Sequence, residues 1–139
     1  MLLLDEVNWP AVLLCAVVYM IVGALWYSPL LFGKAWLSLT GKASIDPSEM
    51  KKGTAKTYSI TFAAALLVSY MMAQMVQYLG ALNALEGAEV GFLIWAGFVA
   101  TSLGLNALFE AKPFKLYLIN SGAWLVKLVL TGIILALWV

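Results

Sequence analysis

LYLINSGAWLVKLVLTGIILALW, residues Leu116–Trp138, is an apolar run interrupted by a single charge, Lys127. Three further runs, Val7–Tyr27, Tyr58–Leu79 and Val90–Phe109, carry no charge at all. The hydrocarbon core of a bilayer is about 30 Å thick, and roughly 20 helical residues at about 1.5 Å each cross it. Each run therefore predicts a transmembrane helix. The expected fold is all-α: one polytopic domain over residues 1–139, with spans near 7–29, 58–79, 90–109 and 116–138 and a loop over 30–57.

Composition agrees. The chain is 64% hydrophobic and 11% charged, with a mean hydropathy of +0.97. Soluble domains sit nearer about 45–50% apolar and 25% charged. A net charge of +1 gives no reason to expect a nucleic-acid partner. With no His and no Arg, the chain lacks axial-His haem ligation, His-based metal sites and Ser-His or Cys-His triads. The lone Cys15 has no second thiol and reads as a small packing residue. No catalytic residue, metal site or cofactor is expected. Asp5 and Glu6 follow Met1–Leu4 where a secretory signal would be basic, so the first helix is expected to be retained.

Charge sets the expected orientation. Asp5, Glu6, Glu86 and Glu89 lie on one side without lysine. Lys34, Lys42, Lys51, Lys52, Lys56, Lys112 and Lys115 gather on the other, against Asp46, Glu49 and Glu110. Lysine-rich short loops stay cytoplasmic, which puts both termini outside.

After Trp26-Tyr27, the pair Ser28-Pro29 resembles a cap followed by proline at the first helical position. The segment Leu30–Leu39, with Phe32, Gly33 and Trp36, is too short to span and predicts an interfacial helix ended by Gly41. Asp46-Pro47-Ser48-Glu49 gives a second start signal, and Gly53 is a point of bending. Trp26-Tyr27-Ser28-Pro29 and Phe109 to Pro113 hint at duplicated hairpins.

Polar residues inside spans are costly unless they face protein or water. Tyr117, Asn120, Trp124, Lys127 and Thr131 share one quadrant of the last span. Gly91, Trp95, Ser102, Asn106 and Glu110 share a stripe of the third. Tyr70, Gln74 and Gln77, and Asn8, Cys15, Tyr19 and Trp26, mark faces of the other two. These faces are read as turned inward. Lys127 is the outstanding residue, because an insertion scale assigns about +2.5–3.5 kcal/mol to a mid-span lysine. Its side chain leans toward the lysine-rich end, so Asn120, Asn106 and Glu110 are its expected polar neighbours. Met71 and Met75, one turn apart, read as flexible packing rather than a copper site. Gly91, Gly97, Gly104, Gly122 and Gly132 permit close approach, but none completes a GxxxG pair within the spans as drawn.

The run Gly23-Ala24-Leu25-Trp26-Tyr27-Ser28-Pro29-Leu30-Leu31-Phe32-Gly33-Lys34-Ala35-Trp36 resembles the hallmark of a family of small bacterial membrane proteins catalogued as domain of unknown function 1761. The likeness extends from Asn8-Trp9 to Phe109-Glu110-Ala111-Lys112-Pro113, Asn120 and Trp124. It implies a four-helix protein of the bacterial inner membrane and assigns no activity. The expected role is a non-catalytic membrane scaffold or accessory subunit that self-associates, with lipid or another membrane protein as partner. The alternative is a homo-oligomeric transporter or channel using Lys127 for a small anion. An enzyme is the weakest reading, since Glu110 and Lys127 come without a nucleophile or metal set.

Overall fold

The computed structural model describes residues 7–42, 44 and 53–138. Five helices follow in order: α1 (Trp9–Trp26), α2 (Gly33–Leu39), α3 (Thr54–Leu79), α4 (Ala84–Phe109) and α5 (Phe114–Leu137). The described residues are all-helical, and α1, α3, α4 and α5 are long and apolar enough to cross a membrane.

Local chemistry fixes the ends. Asn8 caps α1, its Oδ1 accepting from Ala11 N–H at 3.2 Å, with Pro10 in the first turn. α3 starts behind Gly53 at φ +73°. At the other end Gly80, at φ +72°, releases the Gly80 and Ala81 N–H groups onto the Gln77 and Val76 carbonyls. Asn83 caps α4 through Glu86 N–H, while the Glu86 carboxylate accepts from Leu82 N–H at 2.8 Å.

Two helices begin earlier than the apolar runs. α4 starts at Ala84 rather than 90, because the apolar run stops at Glu89 whereas the backbone continues to its Asn83 cap. α3 is helical from Thr54 and passes Lys56 before the apolar run opens at Tyr58, as expected of a helix whose start signal lies upstream. The longer α4 brings Gly87 into register with Gly91, so a GxxxG pair is present after all. Ser28-Pro29 does not start a helix either. Ser28 Oγ instead donates to the Leu25 carbonyl at 2.7 Å, the chain turns over 27–32, and α2 begins at Gly33. The Asp46–Glu49 signal, Lys51 and Lys52 lie outside the described residues. Gly41 does end α2: Gly41 and Lys42 N–H groups bond the Ser38 and Leu37 carbonyls.

α5 is the central helix and packs on α1, α3 and α4. α1 and α4 run antiparallel to it, and α3 runs parallel. Asn8 Nδ2 donates to the Trp138 carbonyl at one end of α1, and Trp26 Nε1 to the Ile119 carbonyl near the other. Val12, Cys15, Ser69 and Thr131 are sealed inside α1, α3 and α5. α4 joins this trio along its first half. A Cβ on Gly87 would overlap the Gly132 carbonyl, and one on Gly91 the Leu128 carbonyl, so the two backbones touch.

Past Gly91 the α4 helix widens into a π segment, Trp95–Ala100. Trp95 Nε1 donates to the Ser121 carbonyl at 2.8 Å, and Tyr117 Oη to the Ala100 carbonyl at 2.9 Å, tying both ends of that segment to α5. Thr101 and Ser102 hydroxyls bond the Gly97 and Phe98 carbonyls. From Trp95 to Phe109 no residue is buried.

Candidate functional site

The Trp26–Trp36 segment forms a latch onto α5. Trp26 reaches the Ile119 carbonyl at 2.8 Å, and Tyr27 Oη donates to Asn120 Oδ1 at 2.8 Å. The Phe32 ring lies 4.7 Å from that of Trp26, and Trp36 meets Tyr27 edge-on at 5.8 Å. Gly33 is required by the tight reversal, because a Cβ there would overlap the Tyr27 carbonyl and come within 2.7 Å of the Ser28 carbonyl. Gly122 leaves room for the Trp26 indole in the same way, with Cζ2 2.9 Å from where its Cβ would be. The motif thus explains itself as a structural clamp. Pro29 and Leu30 protrude at its tip, Leu30 being 87% exposed.

Lys127 is buried in the bundle. It is 8% exposed, and its Nζ lies 4.0 Å from the Tyr19 ring centroid and 5.5 Å from that of Trp124. Gly23 faces it from α1: a Cβ there would stand 3.5 Å from Nζ. The ammonium borders a cavity of about 280 Å³ between α1, α3 and α5, walled also by Met20, Tyr27, Tyr58 and Thr61. Among the described residues Lys127 has neither a hydrogen-bond partner nor an ion pair.

The expected neighbours fall elsewhere. Asn106, Glu110 and Asn120 border a separate cavity of about 170 Å³, together with Lys112 and Tyr117, at the lysine-rich end of α4 and α5. Glu110 pairs with Lys112 at 2.9 Å, both exposed, and not with Lys127. Trp124 does meet Lys127, and Tyr27 connects the two regions by walling one cavity while bonding Asn120 of the other. Sequence reasoning missed Gly23, although its position one turn after Tyr19 puts both on one strip of α1. It also turned Ser102 inward, whereas Ser102 is exposed and does not border the α4–α5 cavity; Asn106 is exposed as well but does border it.

Four apolar helices compatible with a multi-pass membrane protein, clamped by an aromatic turn around a buried lysine, define the class. The chain belongs to the family described as protein of unknown function (DUF1761), whose model matches residues 10–136. No curated protein and no solved structure matches the chain.

Proposed function

We propose that the protein is a non-catalytic membrane scaffold or accessory subunit that self-associates through the second half of α4. The observation that carries this reading is the outer face of that half. Phe98, Ser102, Leu105 and Phe109 are exposed on it, Asn106 is exposed at its edge beside the α4–α5 cavity, and no residue from Trp95 to Phe109 is buried. An amide on a lipid-facing surface is unfavourable, and transmembrane helices pair through such groups and small residues. Gly97, with open space where its Cβ would be, adds room for close approach. An Asn amide both donates and accepts, so Asn106 can pair with its own copy across a two-fold axis.

The bilayer is the other partner. Lys34, Lys42, Lys56, Lys112 and Lys115 cluster at the end opposite Glu86 and Glu89, which favours a cytoplasmic lysine-rich end and outward termini in a bacterial inner membrane. A transport route through one protomer is disfavoured, since it would have to pass the sealed layer of Val12, Cys15, Ser69 and Thr131. The test is mass in lipid nanodiscs. A dimer is expected for the native chain and a monomer for Asn106→Leu; a monomeric native chain overturns the reading.

A further inference from the structure

We propose that the Lys127 cavity binds the oxyanion head of a membrane lipid, a carboxylate or phosphate carried on an acyl chain. This is independent of the α4 face and goes beyond self-association. The first argument is charge. Burying an ammonium costs several kcal/mol, about, even after relaxation. The rings of Tyr19 and Trp124 return roughly 2 kcal/mol between them at desolvated geometry. No carboxylate among the described residues supplies the rest: Glu110 is committed to Lys112 on another cavity, and Glu86 and Glu89 lie at the far end. A bound anion would complete the balance.

The second argument is shape. At about 280 Å³ the cavity falls just below the range of roughly 300–1,000 Å³ that encloses whole small ligands, so it suits a headgroup better than an acyl chain. Its wall residue Tyr19 packs behind in one buried cluster with Ala16 and Ala65. Its rim, Ala24 on α1 and Tyr58 on α3, is exposed. Exposed Ile21 and Leu25 flank Ala24 on α1 and offer an apolar track for a chain outside.

The third argument is depth. Gly23, which faces Nζ, lies three residues before the end of α1, hence about 4.5 Å inside it. The ammonium is therefore within reach of a headgroup seated at that end of the bundle, and a tethered anion reaches it from within the bilayer. Two wall hydroxyls are committed, Tyr27 to Asn120 and Thr61 to the Thr57 carbonyl. Those of Tyr19 and Tyr58 have no partner among the described residues and remain as donors to an oxyanion.

The test is tryptophan quenching in phosphatidylcholine nanodiscs by dibromostearate, dibromostearoyl phosphatidic acid, dibromostearoyl phosphatidylcholine and the dibromostearate methyl ester. Native protein is expected to respond to one or both acids at a mole fraction at least ten-fold lower than to the neutral probes. Response to the fatty acid alone names a carboxylate lipid, and response to phosphatidic acid alone a phosphate lipid. Lys127→Met should abolish the difference while keeping its helical circular dichroism. The surface lysines remain in that variant, so the contrast isolates the cavity. Gly23→Leu keeps the charge but fills the space and should also abolish it. Equal quenching by acids and neutral probes, or an unchanged preference in either variant, overturns the proposal. So does competition by millimolar acetate or inorganic phosphate, which would make the ligand a free anion.

Discussion

Replacing Gly91 by Ala tests the contact that holds α4 to the bundle. The added methyl would overlap the Leu128 carbonyl and stand 2.7 Å from its carbon and 2.9 Å from Val129 Cα. All of these are backbone atoms, so no side chain can swing aside. Relief requires the two helices to part by about 1 Å, a gap that forfeits a quarter to a half of the dispersion well for every facing atom pair. Overpacking of this kind costs about 1–3 kcal/mol, partly offset by the roughly 1 kcal/mol that Ala gains over Gly in a helix. The net expectation is a loss of up to about 2 kcal/mol. Gly104→Ala is the matched control on the same helix. Its Cβ would meet only the Tyr117 ring at an ordinary 3.5 Å, so the helical gain of about 1 kcal/mol should survive. Reversible unfolding in mixed detergent micelles measures both. A Gly91→Ala protein as stable as the native chain, with Gly104→Ala the weaker of the two, would refute the backbone contact.

Three further outcomes are expected from the same assay. Ala111, at φ +53°, ends α4 in the left-handed region where a Cβ costs about 1–2 kcal/mol, so Ala111→Gly should stabilise by about 1 kcal/mol. Tyr27→Phe removes the donor to Asn120 and should lose about 1 kcal/mol, with no further loss when Asn120→Leu is added. Gly33→Ala should cost about 1–3 kcal/mol by opening the turn behind Trp26, whereas Leu30→Ala at the exposed tip should leave stability in detergent unchanged within about 0.5 kcal/mol.

The four long helices were legible because lipid demands a long charge-free run, and such runs are hard to disguise. The wet start of α4 was not, because Glu86 and Glu89 are helical residues that an apolarity rule counts as loop. That hid the Gly87–Gly91 pair, where the α4 and α5 backbones touch. Helical periodicity correctly put Trp124 and Lys127 on one face of α5. It was silent on which helix lies opposite, and Lys127 met Tyr19 and Gly23 of α1 rather than Asn106 and Glu110. Of the stripe on α4, Gly91 and Trp95 meet α5 and Asn106 and Glu110 border the cavity shared with it, whereas Ser102 stays exposed beyond a π segment no residue pattern announced. The aromatic motif was recognisable as a unit. Its role as a clamp depended on carbonyls of α5, which a sequence does not display.

The central claim, that the exposed second half of α4 meets its own copy, is tested most directly by cysteine cross-linking in native membranes. Single cysteines at 98, 102 and 106 in a Cys15→Ala background would be oxidised with copper phenanthroline, beside a control at 60, also exposed and near the same end of the bundle. The account expects a covalent dimer from at least one α4 position, strongest at 102 or 106, and none from position 60. Dimer formation at 60 with none along α4 would contradict it.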